Sequence, residues 1–222
     1  MVVLPLGAAP GKATKLTVRG HKLDAATAVR FPDSKATGKV LSKGKAPVPN
    51  MQDAKQVGDT QVEIEVTLPA DGLGETVSFV VLTPAGETPP HRLLVDGQPP
   101  VVAEKEPNNG FRQAQPVALP QVVQGGIAQP QDVDVYRFEG KAGQRVRLEV
   151  LAARHGSALD SILSLHDADG RLLARNDDAD GSPDSRLEVT LPRDGAYFVS
   201  IQDAHDQGGP VHVYRLVLRP AP

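Results

Sequence analysis

Residues 62–68, Val-Glu-Ile-Glu-Val-Thr-Leu, alternate apolar and polar side chains without a break. Because successive side chains of an extended chain point to opposite faces, this pattern predicts a β-strand with one buried face. The alternation recurs at residues 15–19, 146–150, 187–191, 197–201 and 214–218, and residues 77–82 form a continuous apolar run that also predicts a strand. No segment shows a helical period of convincing length, so the chain is predicted to be all-β.

The composition agrees with short strands joined by many turns. The chain has 222 residues, of which 21 are Gly and 20 are Pro, and both residue types favour turns over long helices. Only 4% of the residues are aromatic, so the core must consist mainly of Val, Leu, Ile and Ala. Short strands separated by Gly and Asp turns favour sandwiches over a parallel sheet with crossover helices. We therefore predict two antiparallel β-sandwich domains, the first immunoglobulin-like and the second jelly-roll-like.

Turn-forming residues at 96–100, Asp-Gly-Gln-Pro-Pro, separate two patterned halves. We predict a first domain at residues 1–97, a linker at residues 98–103 and a second domain at residues 104–222. Residues 34–60 are rich in Lys, Ala and Gly and lack a clear period. Short strands and a mobile loop are expected there.

Composition also excludes several functional classes. The formal charge is −3, from 24 Lys and Arg against 27 Asp and Glu, and the basic residues are scattered, so no nucleic-acid surface is predicted. The absence of Cys excludes disulfides, thiolate metal sites and Cys nucleophiles. No stretch is apolar enough to predict membrane insertion.

The N-terminal residues lack a charged region and a long apolar core, so they do not predict a signal peptide. The chain is then either cytoplasmic or a piece of a larger exported protein. We favour the second interpretation, because the first predicted strand begins almost at Met1. The expected location is extracytoplasmic, whether secreted, periplasmic or on the cell surface.

A dense set of oxygen ligands follows the predicted linker. Residues 104–109 read Glu-Lys-Glu-Pro-Asn-Asn, and residues 132–136 read Asp-Val-Asp-Val-Tyr. Carboxylate and amide oxygens in this number suit Ca²⁺, which takes about 6–8 oxygen ligands. Alternate residues of an extended segment face the same way, so Glu104, Glu106 and Asn108 can project to one side. An acidic, solvated linker would show the same composition and is the alternative interpretation.

An ordered series of motifs extends from residue 104 to residue 198. The motifs are Glu104-Lys-Glu-Pro-Asn-Asn109, Asp132-Val-Asp-Val-Tyr-Arg-Phe138, Ala142-Gly-Gln-Arg-Val146, Leu159-Asp-Ser-Ile-Leu-Ser-Leu165, Asp169-Gly170, Asn176-Asp-Asp178, Asp184-Ser-Arg-Leu187 and Asp194-Gly-Ala-Tyr-Phe198. In this order they resemble the bacterial pre-peptidase C-terminal domain. That family is a β-sandwich found beside secreted proteases, and bacterial collagenases use it as a calcium-dependent collagen-binding domain.

The resemblance implies a set of calcium ligands. By position in the motifs, these ligands are Glu104, Glu106, Asn108, Asn109, Asp132 and Asp134. Asn109 stands where an Asp is common in the family, which removes one charge and should weaken the site.

The first half carries a second, less specific resemblance. Its motifs are Gly11, Leu16-Thr-Val-Arg-Gly20-His-Lys-Leu23, Ala28-Val-Arg-Phe31 and Val81-Leu-Thr-Pro-Ala-Gly86. Together they resemble the IPT/TIG immunoglobulin-like family over roughly residues 1–97. The resemblance implies a sandwich that acts as a spacer or binding module and has no shared catalytic residues.

A second acidic cluster occupies residues 176–181, Asn-Asp-Asp-Ala-Asp-Gly. Asn176, Asp178 and Asp180 match the first, third and fifth positions of an EF-hand-type loop. The match then ends, because the twelfth position is Leu187 and the flanks have strand patterns. The cluster is predicted to be either an Asp-rich hairpin turn or a second calcium site that recruits Asp160 from a neighbouring strand.

Catalytic motifs are not evident. The chain contains no G-x-S-x-G and no H-E-x-x-H, so neither a serine hydrolase nor a zinc protease is indicated. His212 alternates with Val211 and Val213 and is predicted to face outward from a strand.

The leading hypothesis is a non-catalytic, calcium-binding β-sandwich module of an exported bacterial protein, used for adhesion or for binding a substrate or matrix. Its expected partners are an extracellular protein or polysaccharide, or other domains of the parent protein. One alternative is an accessory segment for the secretion or maturation of an adjoining protease. Another is a hydrolase that uses the carboxylates of residues 177–184.

Overall fold

The computed structural model describes residues 1–49 and 52–221. The mobile loop expected within residues 34–60 includes Asn50 and Met51, which lie outside the described residues. Nearly all of the regular secondary structure in the described chain is β-strand, which confirms the predicted all-β fold class. It forms two compact units, one of Met1–Gln98 with His155–Ser157 and the other of Pro99–Arg154 with the residues from Ala158 onward. Within the described residues, no helix has the length and apolarity needed to cross a membrane.

The first unit consists of two sheets. Its strands are β1 (Val2–Leu4), β2 (Gly7–Ala8), β3 (Ala13–Gly20), β4 (Ala28–Arg30), β5 (Thr37–Lys45), β6 (Thr60–Thr67), β7 (Thr76–Thr83), β8 (Gly86–Glu87) and β9 (His91–Val95). One sheet has the antiparallel order β1-β3-β6-β5, and the other has the order β2-β9-β7-β4 with β8 beside β7. Two single 3₁₀ turns (Leu23–Ala25 and Ala153–His155) and the short helix α1 (Ala54–Val57) are the helical segments among the described residues of the chain.

The second unit also consists of two sheets. Its strands are β10 (Val101–Ala103), β11 (Gln115–Pro116), β12 (Gln121–Gly126), β13 (Val133–Gly140), β14 (Arg145–Leu151), β15 (Ser161–Asp167), β16 (Leu172–Asn176), β17 (Arg186–Thr190), β18 (Gly195–Asp203) and β19 (Val213–Pro220). One sheet has the order β10-β12-β19-β14-β17 and the other the order β11-β13-β18-β15-β16. All pairings are antiparallel except those of the short edge strands β10 and β11, which run parallel to β12 and β13.

The alternating sequences are the strands that build the two cores. In β6, Val62, Ile64 and Val66 are buried, because each faces the opposite sheet of the first unit. In the second unit, the inward positions of β13, β14, β18 and β19 form one cluster that includes Tyr136 and Tyr214. The strands predicted from the two-residue period are therefore confirmed.

Three local expectations differ from the structure. Residues 34–60 contain the nine-residue strand β5, which lacks a clear apolar period because it is an edge strand with one neighbour. Val101–Ala103, predicted as linker, forms β10 and pairs with β12. His212 was expected to face outward from a strand, but it is buried and precedes β19. Its backbone N–H donates to the Gly209 carbonyl at 3.0 Å, so His212 ends a turn and does not follow the alternation of the strand.

Candidate calcium site in the second unit

The acidic segment 104–109 connects the two sheets of the second unit. At its start, the Glu104 N–H donates to the Gln124 carbonyl on β12 at 2.9 Å. At its end, the Asn108 carbonyl accepts from the Val135 N–H on β13 at 2.9 Å. The peptide bond between Glu106 and Pro107 is cis. The segment is thus tied to one sheet at one end and to the other sheet at the other end.

Glu104 is held by hydrogen bonds at both carboxylate oxygens. Its Oε1 accepts from Asn108 Nδ2 at 3.0 Å and from Tyr136 Oη at 2.8 Å, and it lies 3.1 Å from Tyr214 Oη. Its Oε2 accepts from the Gly126 N–H at 2.9 Å. These contacts fix the position and orientation of a carboxylate that is only partly exposed.

Gly125 provides the space that this arrangement needs. A Cβ at position 125 would lie 2.7 Å from Tyr214 Oη and 2.9 Å from Glu104 Oε2. Both distances are shorter than normal van der Waals contacts, so a larger residue would displace the tyrosine or the carboxylate. The absence of a side chain at Gly125 therefore lets Glu104 approach β12 closely.

Three carboxylates converge beside this segment. One oxygen each from Glu104, Glu106 and Asp134 lie within 4.8 Å of one another. Within the described part of the chain, none of the three forms a salt bridge with Lys, Arg or His. Like charges at this separation repel strongly in a partly buried site, so the cluster requires protons or a cation.

The electrostatics of Asp134 reflect this repulsion. Its side chain is 0% exposed, and burial raises its pKa to about 9, with the nearby Glu104 carboxylate as the second cause. Tyr214 Oη donates to Asp134 Oδ2 at 2.6 Å, which favours the charged form but does not offset burial. Without a cation, Asp134 is therefore protonated at neutral pH.

The hydroxyl groups of two buried tyrosines contact the acidic cluster. Tyr136 Oη and Tyr214 Oη lie 2.5 Å apart, and both side chains are buried. Burial raises the pKa of each phenol above its ordinary value, and the neighbouring carboxylates raise it further. Both hydroxyls consequently stay protonated and act as hydrogen-bond donors to the acidic cluster.

Two buried oxygen atoms at the site have no hydrogen-bond partner. They are Asn108 Oδ1 and Asp134 Oδ1. A buried polar atom without a partner is unfavourable by about 1–3 kcal/mol unless a ligand satisfies it. Asn108 Oδ1 belongs to the same amide whose Nδ2 donates to Glu104, so its free oxygen lies beside the carboxylates. Three carboxylates and a free amide oxygen, without thiol or imidazole, are a donor set that fits Ca²⁺.

Asn109 and Asp132 lie next to this cluster but bond to each other. Asn109 Nδ2 donates to Asp132 Oδ1 at 2.7 Å, and the same oxygen accepts from the Val133 N–H at 3.0 Å. Asp132 Oδ2 accepts from the Ala128 N–H at 2.8 Å. The structure therefore brings all six residues of the first predicted ligand set into one region, with free oxygens on only some of them.

The second predicted site has a different character. Asp180 forms a two-pronged ion pair with Arg186, whose NH2 nitrogen lies 2.9 Å from Asp180 Oδ1. That ion pair lowers the pKa of Asp180. Asn176 Oδ1 accepts from the Arg186 N–H at 2.9 Å, so it caps the turn.

Asp160 and Asp178 complete the second predicted set. Asp160 faces His205, with 3.5 Å between Asp160 Oδ2 and His205 Nδ1, and burial raises its pKa. Asp178 is exposed and lies close enough to Asp160 to raise that pKa further. Among the described residues, these side chains do not form a group of three acidic or His ligands comparable to the first cluster.

Several residues of the first site were not identified from the sequence. Tyr136 follows Asp134 by two positions on β13, so the strand period could have placed its side chain on the same face. Tyr214 and Gly125 come from β19 and β12, far from the motif in sequence. Only the pairing of these strands brings them to Glu104.

Part of this chain is similar to known proteins. Residues 132–203 match the family model of the bacterial pre-peptidase C-terminal domain. A probable subtilase-type serine protease from Deinococcus radiodurans is 39% identical over 103 residues, which is 45% of this chain but only 14% of that protein. The chain thus spans a small part of the length of this curated relative.

Solved structures show weaker similarity. The pre-peptidase C-terminal domain of a collagenase from Bacillus anthracis is 18% identical, with 52% of this chain and 99% of that chain covered at a TM-score of 0.39. PliG of Aeromonas hydrophila, a periplasmic inhibitor of g-type lysozyme, is 17% identical, with 49% and 99% covered at a TM-score of 0.37.

The resemblance of residues 1–97 to the IPT/TIG family is not addressed by these matches and stays a prediction. For the second half, the match at residues 132–203 confirms what the ordered motifs predicted. Within the second unit, residues 132–203 are therefore similar to the bacterial pre-peptidase C-terminal domain.

Proposed function

We propose that the second unit is a non-catalytic module of an exported bacterial protein that binds Ca²⁺ through Glu104, Glu106, Asp134 and Asn108. The module would attach the parent protein to an extracellular protein or polysaccharide, or dock against another domain of the parent. The observation that carries the calcium assignment is the convergence of three carboxylate oxygens within 4.8 Å, with no counter-charge among the described residues.

Calcium would supply positive charge that replaces the mutual repulsion of the three carboxylates. The remaining chemistry belongs to the chain. Tyr136 and Tyr214 hold the Glu104 carboxylate in place, and the Gly126 N–H fixes its second oxygen. Asp134, whose pKa is raised by burial and by the Glu104 carboxylate, would give up its proton on calcium binding, because a coordinating carboxylate must be deprotonated.

Two further side chains would join the donor set by a small rearrangement. Asn109 and Asp132 lie beside the cluster and are joined by one side-chain hydrogen bond. Breaking that hydrogen bond would free an oxygen of the Asp132 carboxylate. This carboxylate would supply a negative charge that the neutral Asn109 cannot. We confine the proposal to this site, because Asp180 at the second acidic cluster is already neutralised by Arg186.

Calcium binding at this position would increase the free energy of unfolding of the domain. Segment 104–109 is hydrogen-bonded to both sheets, so a calcium ion bound there would hold the segment and both sheets together. At a free calcium concentration one hundred times Kd, the expected stabilisation is about 2.7 kcal/mol. For a chain of this size, such a gain raises Tm by roughly 5–10 °C.

The test compares thermal melting in EDTA and in millimolar CaCl₂, together with calorimetric titration of stripped protein with CaCl₂. The Glu106→Ala variant should lose most of the calcium-dependent rise in Tm, because Glu106 contributes one of the three converging carboxylates. A Lys39→Ala variant in the first unit should keep it. Equal melting curves for the parent protein in both buffers would contradict the proposal.

A second candidate function is supported by the protease relative. The 103 matched residues account for only 14% of a probable subtilase-type serine protease, so a segment similar to part of this chain occurs within a longer, protease-related protein. An accessory segment for secretion or maturation would be cut near residues 98–103 and would show no affinity for matrix polymers. Mass spectrometry of the exported mature protein would reveal that cleavage, and an intact junction would reject it.

The hydrolase alternative receives less support from the geometry. Asp184, the carboxylate that ends the acidic loop, accepts hydrogen bonds from the Ala152 and Ala153 N–H groups and from Arg154. A carboxylate held in this way is a structural cap. Glycosidase and esterase assays on the purified protein provide the direct check.

A further inference from the structure

The outer face of one sheet of the second unit carries a row of aromatic and apolar side chains. Phe198 on β18 is the register partner of both Arg137 on β13 and His166 on β15. His166 is in turn the partner of Leu172 on β16. Their chain neighbours Tyr197 and Leu165 belong to the core, so this row faces away from the core.

Phe111 lies flat on this row. Its ring stacks on Phe198, with 4.8 Å between centroids and 27° between planes, and it also contacts His166 at 5.2 Å. A Cβ at Gly170 would lie 3.3 Å from the Phe111 ring, so Gly170 leaves room for it. Phe198 covers one face of the ring, yet 40% of Phe111 is exposed, so the exposed area is on the opposite face and the edges.

Leu172 extends the same surface. It is 55% exposed, and it is the partner of His166, which Phe111 contacts. Two of the four exposed large hydrophobic side chains among the described residues therefore lie together on one face. A contiguous exposed apolar surface on a soluble domain is characteristic of a binding site, whereas scattered single residues are not.

Unpaired guanidinium groups surround this surface. Arg112 and Arg171 are the chain neighbours of Phe111 and Leu172, and Arg175 is the register partner of Ser164, which shares the face of His166. Unlike Arg193, which pairs with Asp167 and Asp169, these three exposed arginines form no salt bridge within the described residues. The surface is locally positive although the chain has a formal charge of −3.

We propose that this surface, formed by Phe111, Phe198, His166, Leu172, Arg112, Arg171 and Arg175, binds the uronic-acid units of an acidic polysaccharide. The C–H face of a pyranose ring packs on the negative face of an aromatic ring. The carboxylate at the edge of a uronic acid can then accept paired hydrogen bonds from a guanidinium group. The proposal names a ligand class for the attachment role proposed above, and it does not depend on the calcium assignment.

The shape of the surface favours a sugar over an acidic peptide. The exposed element is the flat face of one ring, against which a sugar ring can lie. Peptide and protein partners obtain most of their affinity from side chains buried in pockets. A flat aromatic face with a cation beside it matches the dimensions of one charged sugar ring.

Affinity electrophoresis of the full chain in EDTA tests the proposal. EDTA removes calcium, so any binding of the polysaccharide is measured independently of the calcium site. The gels contain polygalacturonate, neutral dextran or poly-glutamate, and circular dichroism confirms that each variant is folded. The parent chain should be retarded by polygalacturonate and much less by the other two polymers. The Phe111→Ala variant should lose at least about tenfold in affinity, and Phe111→Tyr should retain binding because it keeps the aromatic face.

Two further variants complete the test. Arg175→Gln should weaken binding several-fold and reduce its dependence on salt, because one charge pair is lost. Leu41→Ser in the first unit is the control. It changes a hydrophobic residue that is 43% exposed, and it should bind as the parent does. The proposal is overturned if polygalacturonate causes no retardation, if poly-glutamate retards the chain equally, or if Phe111→Ala binds like the parent.

Discussion

Asp134 and Asp184 are both 0% exposed, yet they lie in opposite environments. Asp184 accepts from the Ala152 and Ala153 N–H groups at 3.1 and 2.6 Å and pairs with Arg154. Asp134 accepts from one tyrosine, leaves one oxygen without a partner and faces two other acidic side chains. The two buried carboxylates therefore differ in their environment: Asp184 is satisfied by hydrogen bonds and an arginine, and Asp134 lies in an acidic cluster without a counter-charge among the described residues.

The same contrast holds for the two acidic segments as a whole. Residues 176–184 supply more acidic side chains than residues 104–109, but their Asp180 is neutralised by Arg186. The segment at 104–109 has no such neighbour among the described residues. Local density of Asp and Glu is thus a poor indicator of a cation site, and the placement of arginine is a better one.

The largest expected effect concerns Asp184. Asp184→Ala leaves the Ala152 and Ala153 N–H groups without their acceptor and removes one of the two carboxylates that pair with Arg154. Each buried polar group left unpaired is unfavourable by about 1–3 kcal/mol, so the expected loss is about 2–6 kcal/mol. Urea unfolding should show this loss equally in calcium and in EDTA. A loss below about 1 kcal/mol would mean that Asp184 resembles Asp134 more closely than the structure indicates.

Asp134→Asn should have effects of opposite sign in the two buffers. In EDTA at neutral pH the variant should match or exceed the parent in stability, because the folded parent holds Asp134 protonated while its unfolded state ionises that group, and Asn has no such ionisation to favour the unfolded state. In calcium it should lose most of the stabilisation of about 2.7 kcal/mol expected for the parent at one hundred times Kd. Melting curves in both buffers measure this directly, and equal calcium stabilisation in parent and variant would remove Asp134 from the site.

The dependence on pH follows from the raised pKa of Asp134. In calcium-free protein the folded state binds a proton between the ordinary value of 3.8 and about 9, while the unfolded state does not. The contribution of Asp134 is therefore fully present at pH values below the unfolded pKa and is lost as pH rises through the folded pKa, by up to roughly 1.4 kcal/mol per pH unit.

This pH effect is isolated by subtracting the curve of Asp134→Asn from that of the parent. Urea unfolding of calcium-stripped protein at pH 5, 6, 7 and 8 should give a difference that falls steadily. With calcium present the trend should reverse, since binding displaces the proton and is favoured at higher pH. A difference that does not change between pH 5 and 8 would show that Asp134 is not protonated.

Gly125→Ala should weaken calcium binding by about tenfold, which is about 1.4 kcal/mol. The new methyl group would lie 2.7 Å from Tyr214 Oη and 2.9 Å from Glu104 Oε2, so the carboxylate must move. Gly110→Ala is the matched control, because a Cβ there meets nothing within 4 Å. Calorimetric titration with CaCl₂ distinguishes the two variants, and equal affinities would show that Gly125 is not needed for the site.

Asp180→Asn should have the smallest effect. Its ion pair with Arg186 is exposed to solvent, and exposed pairs contribute little to stability. The variant should melt like the parent and should keep the full response to calcium. A reduced calcium response in this variant would reveal a second site at residues 176–181.

Much of the fold could be predicted because its information is local. The two-residue period of residues 62–68 and 146–150 identifies strands and their buried faces without knowledge of their partners. The edge strand β5 and the short strand β10 could not be found in this way, because an edge strand has no fully buried face to mark with apolar residues. His212 illustrates the same limit, since its inward orientation depends on a turn closed by the Gly209 carbonyl.

The candidate site was predicted in part for the same reason. Glu104, Glu106 and Asn108 lie within a few residues of each other, so their shared side of an extended segment is a local property. The sequence could not show that Arg186 forms an ion pair with Asp180, because that pairing depends on the conformation of the turn between β16 and β17.

The sequence alone determined the all-β class, most of the strands along the chain, the similarity to a pre-peptidase C-terminal domain and the acidic residues from which a cation site could be built. Tertiary structure decided which carboxylates remain without a counter-charge and which aromatic ring faces outward. The physical reason is that these outcomes depend on contacts between residues distant in sequence, such as Tyr214 with Glu104 and Phe111 with Phe198. Chain connectivity does not specify such contacts; packing of the two sheets does.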